Sequence, residues 1–508
     1  MQVNVFEWLM NTADRYPDKV ALVDSKEKVT YSEYYNKAIA IAREIARKSV
    51  GIQQPIVVYM EKSAKVLISF AAVAASRNFY SPIDVDMPIS RAKKIIEILE
   101  PSIVITTAEL RGRFEQLGYE GDFIIYEEIV LASDDRTAIE HLVNSIIDTD
   151  LLYVLFTSGS TGVPKGVAIR HKSVIDYVDW VVDEFHIDES DSFANQAPFY
   201  FDNSILDIYS CMKTGAILHI IDKRLFSNPV SLLSYLKDNR ISTIFWVPSA
   251  LIMVAKLRAL KNVDLGDTLK RVLFCGEVMP NKQLNYWRSF LPNVLYSNLY
   301  GPTEITDACT FYTVNREFTD DESLPIGKPM RNTEILVLDE RDHLVLPSDR
   351  SKIGELCVKG TCLAVGYFRN PEKTKEAFVQ NPLNMNYEEK IYRTGDYVTY
   401  NEYEELMYVG RKDYQIKHMG HRIELGEIET AVSSLEGFSR CCCLYDEKKS
   451  RIVLILETVN DVNKDEINSR LIKKIPEYML PGKILTIQEM PLNENGKINR
   501  KLLKEQML

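Results

Sequence analysis

The sequence predicts an α/β protein with a large N-terminal domain of packed α/β sheets, a small β subdomain and a smaller α+β domain at the C-terminus. Short apolar runs alternate with helical patterns between residues 55 and 275. From residue 325 onward, short strand patterns and turns replace the long helices, and beyond residue 413 strands and helices alternate again. Such alternation is typical of sheets covered by helices. A chain of 508 residues also exceeds the roughly 250–300 residues at which single cores stop growing.

The first 50 residues look helical, and Thr30-Tyr31-Ser32-Glu33 is typical of a capping box that starts a helix running to residue 48. The apolar patterns then predict strands and helices in turn. The predicted strands of this part are 55–60, 103–106, 151–156, 167–169, 216–221, 243–247 and 271–275, and the predicted helices are 64–75, 91–99, 173–185, 204–209, 231–236 and 250–260.

Strands at 334–338, 354–359 and 405–409 predict the small β subdomain. Residues 410–413 are charged and lack apolar periodicity, which suits a hinge. We therefore expect an N-terminal domain at 1–410, a hinge at 411–413 and a C-terminal domain at 414–508. The last domain is predicted to contain strands at 415–417, 452–458 and 484–487 and helices at 425–435 and 466–475.

Composition excludes several classes of protein. The net charge of −11 argues against a nucleic-acid binder, which would present a basic face. No run of about 18 apolar residues exists, so no membrane span is predicted, and the N-terminus lacks the pattern of a secretory signal. The eight cysteines show no metal-ligand spacing, and Cys441–Cys443 are expected to alternate across a strand. These features favour free thiols and a cytoplasmic protein.

Residues 157–166, Thr-Ser-Gly-Ser-Thr-Gly-Val-Pro-Lys-Gly, lie between two predicted strands. A loop rich in glycine and hydroxyl groups can hold an anion close to backbone N–H groups, and Lys165 adds a positive charge. The same composition also suits an ordinary turn. The loop differs from a Walker A sequence, because Pro164 precedes the lysine and a strand follows it.

Six polar patches recur in order along the chain: TSGSTGVPKG at 157–166, FDNS at 201–204, YGPTE at 300–304, YRTGD at 392–396, GRKDYQIKHMGHRIELGEIE at 410–429 and NGKINR at 495–500. Together they resemble the signatures of acyl-adenylate-forming ligases over nearly the whole chain. The resemblance is nearest to the amino-acid-activating branch, which includes peptide-synthetase adenylation domains and carrier-protein ligases for D-alanine.

The resemblance implies ATP and Mg²⁺ as cofactors and a set of residues that bind them. Lys165 and Glu304 are also expected to be catalytic, with Glu304 as the Mg²⁺ ligand; a helix-terminal acid is the alternative role for Glu304. Tyr300 would stack on adenine and Asp396 would accept the ribose hydroxyls, although a core tyrosine and a turn aspartate would explain these two as well. The implied cofactor-binding residues are Thr157, Ser158, Gly159, Thr161, Lys165, Gly276, Glu277, Asn298, Tyr300, Gly301, Thr303, Asp396, Arg411 and Lys497.

In the family a C-terminal lysine bridges the substrate carboxylate and the phosphate, and Lys497 matches it. A lysine in this position is otherwise an ordinary solvated charge. Asp413 matches the hinge about which the C-terminal domain rotates as a mobile lid. After rotation, Lys417 and Gly420 would face the second half-reaction, where a missing side chain at 420 leaves room for a phosphopantetheine arm.

Asp202 matches the aspartate that pairs with a substrate α-ammonium group, because a buried carboxylate needs a cationic partner. A helix cap is its alternative role. The resemblance implies the substrate-binding residues Asp202, Asn203, Leu206, Phe245, Leu273, Cys275, Leu299, Asp307 and Ala308. D-alanine or another small or polar amino acid is therefore the expected substrate. Asp307 would suit a hydroxyl or cationic side chain, and a solvated acid or a helix cap is its alternative role.

The expected acceptor is a carrier protein supplied in trans, since the sequence shows no carrier domain of its own. The main expectation is thus an enzyme that forms an aminoacyl-AMP and then an aminoacyl thioester. Two other functions stay open at this point. One is an acyl- or aryl-CoA ligase on the same fold, and the other is an inactive nucleotide-binding scaffold.

Overall fold

The structure is a computed structural model that describes residues 2–48, 51–131, 135–159, 162–350, 352–412, 415–435, 440–458, 462–492 and 498–508. The chain divides into two compact units. The larger unit comprises residues 1–85, 99–155 and 166–412, and the smaller unit comprises 86–98, 156–165 and 413–508.

The helices, numbered along the chain, are α1 (Phe6–Arg15), α2 (Tyr31–Arg47), α3 (Ala64–Ala75), α4 (Ile89–Leu99), α5 (Ala108–Glu115), α6 (Asp135–Ser145), α7 (His171–Glu184), α8 (Ser204–Thr214), α9 (Pro229–Asp238), α10 (Pro248–Lys256), α11 (Asn281–Phe290), α12 (Pro371–Ala377), α13 (Leu425–Ser433), α14 (Lys464–Leu471) and α15 (Arg500–Met507).

The strands are β1 (Val20–Val23), β2 (Lys28–Thr30), β3 (Pro55–Tyr59), β4 (Phe79–Pro82), β5 (Ile103–Thr106), β6 (Asp122–Ile125), β7 (Leu151–Thr157), β8 (Lys165–Arg170), β9 (Ser192–Asn195), β10 (Ile217–Ile220), β11 (Thr243–Trp246), β12 (Arg271–Phe274), β13 (Leu295–Tyr300), β14 (Thr310–Thr313), β15 (Lys328–Pro329), β16 (Thr333–Leu338), β17 (Gly354–Gly360), β18 (Gly366–Tyr367), β19 (Phe378–Gln380), β20 (Lys390–Tyr400), β21 (Leu406–Arg411), β22 (Gln415–His418), β23 (His421–Glu424), β24 (Cys441–Asp446), β25 (Arg451–Glu457) and β26 (Lys483–Ile487).

Among the described residues, a nine-stranded sheet of the larger unit positions most of the candidate site. Its strand order is β15-β14-β13-β12-β11-β9-β10-β1-β2. Strands β9, β11, β12 and β13 run parallel, and Phe245 of β11 lies in register with Leu273 of β12. Parallel strands align their carboxyl ends at one edge, where α/β folds place their ligands. Residues that follow these strands are thereby gathered along that edge.

A second sheet has the order β18-β8-β7-β4-β3-β5-β6, and a third contains β16-β17-β20-β19 with β21 paired to β20. The strand–loop–strand prediction around residue 160 is confirmed by β7 and β8. Helix α2 begins with the predicted capping box, in which Thr30 and Glu33 exchange hydrogen bonds. Helix α3 has the predicted bounds and is buried along its length.

Two local predictions are wrong. Residues 20–30 form strands β1 and β2 rather than helix, because β1 pairs in parallel with the distant β10. The sequence also suggests a polar loop at 298–304, but Asn298 and Tyr300 belong to strand β13, so this loop begins at residue 301. The 392–396 patch lies within strand β20, and the seven-residue α12 agrees with the prediction that this part of the chain has no long helices.

The smaller unit contains a hairpin of β22 and β23 and a sheet in the order β24-β25-β26. The predicted alternation of cysteines across a strand is confirmed in β24. Cys441 and Cys443 pack into one hydrophobic cluster, whereas Cys442 packs into another. Throughout the described ranges, no helix is long and apolar enough to span a bilayer.

Candidate active site

The turn that joins β13 to β14 in the larger unit carries several predicted site residues. The turn is closed by a hydrogen bond from Cys309 N to Tyr300 O at 2.8 Å. Gly301 is required at its start, because an added Cβ would lie 2.6 Å from Ala308 Cα. Thr303 begins a short 3₁₀ helix that ends at Ile305. The close packing fixes the direction in which the turn presents its side chains.

Tyr300, Asp396 and Arg411 form one hydrogen-bonded chain. The Tyr300 hydroxyl donates to Asp396 Oδ2, and Arg411 Nη1 donates to Asp396 Oδ1 at 2.8 Å. Asp396 on β20 lies opposite Arg411 on β21 in the sheet register. Burial, and after it the Asp396 carboxylate, raises the pKa of Tyr300 well above its usual value, so the phenol stays a donor. Each carboxylate oxygen has a second lone pair for a ligand hydroxyl.

Glu304 is fully buried and accepts a hydrogen bond from the Tyr367 hydroxyl at its Oε1 atom, over 2.8 Å. Its backbone oxygen accepts from Ala364 N at 2.9 Å. Thr306 Oγ1 donates to Cys362 O at 2.8 Å. These bonds tie the turn to residues 362–367 and hold the Glu304 carboxylate in one direction.

The residues predicted to form the amino-acid pocket lie in the larger unit. Asp202 precedes α8 and is 9% exposed, and its Oδ1 accepts from Asn203 N at 3.0 Å. Asp307 follows the 3₁₀ helix, is 1% exposed and accepts from the Tyr177 hydroxyl at 2.7 Å. The apolar members all belong to the main hydrophobic core of this unit, a cluster that extends from Val5 to Leu406: Leu206, Phe245, Leu273, Cys275, Leu299 and Ala308.

The remaining nucleotide-binding candidates of the larger unit lie at or beyond the carboxyl ends of β12 and β13. The Glu277 carboxylate accepts from Ser249 N at 2.8 Å, at the start of α10. The Glu277 side chain is thus directed to a helix terminus. Asn298 Nδ2 donates to Pro325 O at 2.8 Å.

The glycine-rich loop belongs to the smaller unit. Thr157 Oγ1 lies 3.5 Å from Lys165 O, and Ser158 Oγ donates to Arg422 O at 2.8 Å. A Cβ on Gly159 would lie 2.0 Å from Val163 O, so the loop closes on itself only with glycine there. Lys165 is half-buried at the start of β8. Thr157, Ser158, Gly159 and Lys165 of the predicted phosphate loop thus belong to one unit.

Three predicted residues, Thr161, Asp413 and Lys497, lie outside the described residues. Two others of the smaller unit are placed. Lys417 lies in β22, and Gly420 occupies the β22–β23 turn with φ of 80°.

Sequence reasoning missed the tyrosines that contact the site carboxylates. Tyr177 lies in α7 and Tyr367 in β18, 130 and 63 positions from Asp307 and Glu304 respectively. Apolar periodicity marks such positions only as buried, and no local motif marks a tyrosine whose partner is distant in sequence. Only the fold brings these hydroxyls to the carboxylates.

The site and fold agree with one protein family. Residues 9–368 match the family described as AMP-binding enzyme, and residues 427–497 match the AMP-binding enzyme C-terminal domain. The chain therefore belongs to the AMP-binding enzymes and is an ATP-dependent, AMP-forming ligase.

Several characterised proteins resemble the chain along its length. Zwittermicin A synthase ZmaJ of Bacillus cereus is 31% identical over 96% of this chain and 92% of that protein. D-alanine–D-alanyl carrier protein ligase of Bacillus cytotoxicus is 32% identical over 99% of both. Tyrocidine synthase 1 of Brevibacillus parabrevis is 31% identical, and the chain spans 44% of its length.

Among solved structures, the Vibrio cholerae adenylation domain AlmE in complex with glycyl-adenosine-5'-phosphate superposes with a TM-score of 0.85. The match covers 100% of this chain and 98% of that chain at 21% identity. At this identity the likeness establishes the fold: a mixed α/β protein with a large N-terminal and a smaller C-terminal part.

Proposed function

We propose that this enzyme activates an amino acid as aminoacyl-AMP and transfers the aminoacyl group to the phosphopantetheine thiol of a carrier protein. In the first step a carboxylate oxygen of the amino acid bonds to the α-phosphorus of ATP, and the bond to pyrophosphate breaks. In the second, the thiol attacks the acyl carbon and AMP leaves. D-alanine or another small or polar amino acid is the proposed substrate.

The observation that carries the proposal is the buried carboxylate of Asp202. It is 9% exposed and precedes α8, whose residue Leu206 belongs with Leu273 and Cys275 to the main hydrophobic core of the larger unit. An ionised carboxylate in such surroundings is stabilised by a cationic partner. The α-ammonium group of an amino acid supplies that charge, whereas a fatty or aryl acid does not. A relative named D-alanine–D-alanyl carrier protein ligase supports the same class of substrate.

The nucleotide would be held by side chains with matching chemistry. Asp396, already oriented by Tyr300 and Arg411, would accept the ribose hydroxyls through its remaining lone pairs. Tyr300 would stack on adenine through its ring. Asn298, Gly301 and Thr303 would border the nucleotide from β13 and its turn.

Glu304 fits the Mg²⁺ that we propose to accompany ATP. Mg²⁺ favours one or two carboxylates together with substrate phosphates over a cage made only of protein ligands. The part of the chain that the structure describes holds no cluster of three or more acidic, His or Cys ligands, and Glu304 offers one fixed carboxylate. Bound Mg²⁺ would supply charge neutralisation for the phosphates, while Tyr367 holds the direction of the Glu304 side chain.

We further propose that residues 1–410 form the ATP- and amino-acid-binding domain and that 414–508 form a mobile lid joined by a hinge at 411–413. Lys165 would steady the leaving pyrophosphate with Thr157, Ser158, Gly159 and Thr161 around it. Lys497 would bridge the substrate carboxylate and the phosphate during adenylation. A group that stabilises the charge developing in the transition state raises the rate by about 10²–10³-fold. Asp413 would allow the lid to turn between half-reactions.

The direct test is ATP–pyrophosphate exchange with the proteinogenic amino acids, D-alanine and a panel of fatty and aryl acids. We expect exchange with one or a few amino acids and none with the other acids. Exchange only with fatty or aryl acids would defeat the argument from Asp202. No exchange with any acid would favour an inactive scaffold. Loading of label onto a phosphopantetheinylated D-alanyl carrier protein, compared with coenzyme A, then tests the acceptor.

A further inference from the structure

A half-buried lysine lies beside the segment that leads from β9 to Asp202. Lys62 follows β3, and its Nζ atom donates to the backbone oxygens of Asn195 at 3.2 Å and Gln196 at 3.1 Å. The same ammonium group lies 5.3 Å from the centroid of the Phe199 ring. Since Asn195 is the last residue of β9, Lys62 holds the chain at the point where the strand ends and contacts it again before Asp202.

A carboxylate of α8 fixes the other end of this segment. Asp207 is fully buried, and its Oδ2 atom accepts a hydrogen bond from Asn195 Nδ2 at 2.9 Å. The chain between β9 and α8, residues 196–203, carries Asp202 and is closed at its base by this bond; we call it the Asp202 segment. Ile205 N donates to Asp202 O at 2.8 Å, which joins Asp202 to the first turn of α8. The position of Asp202 therefore depends on how β9 and α8 are held together.

Lys62 and Asp207 compensate each other's charge. Burial lowers the pKa of Lys62 to about 7, and the Asp207 carboxylate, followed by that of Asp222, opposes this shift. Burial raises the pKa of Asp207 to about 8, and the hydrogen bond from Asn195, followed by the Lys62 charge, opposes that one. Among the described residues, Asp207 Oδ1 has no hydrogen-bond partner. A buried carboxylate in this situation depends on a nearby cation, which here is Lys62.

Stability alone does not require charged groups at this place. Apolar side chains often replace a buried ion pair without loss of stability, because the cost of desolvation offsets the attraction between the charges. An ammonium group differs from an apolar side chain in that it binds carbonyl oxygens and so fixes the backbone that carries them. The two oxygens bound by Lys62 belong to Asn195 and Gln196, where β9 passes into the Asp202 segment.

We propose that Lys62 and Asp207 are positioning residues for amino-acid binding, which together fix the Asp202 segment so that Asp202 meets the α-ammonium group of the substrate. The inference rests on the proposed amino-acid activation and adds two residues that act through Asp202. The candidate nucleotide residues Tyr300 and Asp396 lie on other elements, β13 and β20. Loss of Lys62 or Asp207 should therefore affect the amino acid and leave the KM for ATP unchanged.

The first experiment removes the cation and returns it from solution. Lys62→Ala deletes the side chain beyond Cβ, and propylammonium supplies the deleted atoms. ATP–pyrophosphate exchange is measured with whichever of the proteinogenic amino acids and D-alanine the wild-type protein uses best. We expect kcat/KM for that amino acid to fall about 10- to 100-fold, because a small displacement of a binding group has effects of this size. Propylammonium should restore about tenfold, whereas uncharged 1-propanol should restore nothing.

Matched controls separate positioning from stability. Asp191 precedes β9 at the opposite end of the strand, is fully buried and accepts from Arg271 Nη1 at 2.8 Å. Asp207→Asn and Asp191→Asn both remove a buried charge, so both should lower the urea midpoint. Only Asp207→Asn should raise the KM for the amino acid, by about tenfold, because Lys62 loses its partner. Lys65→Ala, which removes a surface lysine paired with Glu127 at 2.7 Å, should behave as wild type.

The double variant Lys62→Ala/Asp207→Asn should lose no more activity than the worse single variant, since both residues act on one segment. Losses that multiply would overturn the inference, as would equal rescue by 1-propanol and propylammonium or an equal rise in the amino-acid KM with Asp191→Asn. If Lys62→Ala does not fold, the two aspartate variants decide; if Asp207→Asn does not fold, the rescue decides. Wild-type protein that exchanges with no amino acid would instead refute the proposed function, and the inference with it.

Discussion

Two substitutions of Tyr300 distinguish the contribution of its ring from that of its hydroxyl. The hydroxyl donates to Asp396 Oδ2 inside a buried chain that continues to Arg411. Tyr300→Phe keeps the ring and removes the donor, whereas Tyr300→Ala removes both. If the ring stacks on adenine and the hydroxyl only orients Asp396, the two variants should differ widely in their affinity for ATP.

The expected changes in the Kd for ATP follow from the hydrogen bonds of Tyr300 and Asp396. A hydrogen bond to a charged group contributes about 1.5–3 kcal/mol, and Asp396 keeps the Arg411 bond at 2.8 Å in the variant. We therefore expect the lower end, about 1.5 kcal/mol, which is about a tenfold rise in Kd for ATP with Tyr300→Phe. Stacking of a base on an aromatic ring contributes about 1–3 kcal/mol, so Tyr300→Ala should weaken binding about 5- to 150-fold further.

The assay is isothermal titration of each variant with a non-hydrolysable ATP analogue, with Tyr296→Phe as a control from the same strand. The control should bind as wild type does, since Tyr296 packs in a separate cluster. Equal losses in Tyr300→Phe and Tyr300→Ala would show that the ring contributes nothing, and the stacking assignment would then be wrong. Wild-type affinity in Tyr300→Ala would remove Tyr300 from the nucleotide site altogether.

Three further predictions concern other parts of the chain. Gly301→Ala should cost about 1–3 kcal/mol of unfolding free energy, seen by urea denaturation, because its Cβ would lie 2.6 Å from Ala308 Cα and the backbone must shift; unaltered stability would contradict this packing. Burial lowers the pKa of His171 to about 4 from 6.5, so the unfolded chain binds a proton before the native one does. The contribution of neutral His171 to the free energy of unfolding is complete above pH 6.5, and about 3 kcal/mol of it is lost as the pH falls toward 4. His171→Gln should make the free energy of unfolding depend less on pH, as measured by denaturation at several pH values. Lys497→Ala should abolish ATP–pyrophosphate exchange yet leave thioester formation from supplied aminoacyl-AMP largely intact; equal loss of both half-reactions would contradict its role.

Much of the fold followed from local patterns. Helix α3 is a continuous apolar run, and α2 carries its capping box in four adjacent residues, so their bounds could be predicted. Strand β1 could not, because its four residues gain their stability from pairing with β10 about two hundred positions later. Local propensity is weak where partners are distant in sequence.

The candidate site also contains residues that the sequence predicted and contacts that it could not predict. Glu304 and Asp396 stand in contiguous motifs, and their expected roles came from the resemblance of those motifs to a family. Tyr367 stands in no such motif, and although Arg411 does, its pairing with Asp396 depends on the register of β20 and β21. Asp307 was predicted as a pocket residue, but its bond to Tyr177 depends on how α7 packs against the 301–309 turn. A single sequence does not show which distant residues contact each other in the fold.

The 301–309 turn constrains how evolution could change the substrate of this enzyme. One short stretch of backbone, tied to residues 362–364, carries both Glu304 and Asp307. If Asp307 belongs to the substrate pocket and Glu304 to the ATP site, as the resemblance implies, a substitution at Asp307 should also shift Glu304, and mutations at the two positions should be non-additive. Laboratory evolution toward an apolar amino acid would then lose ATP affinity first and recover it through second-site changes near Tyr367.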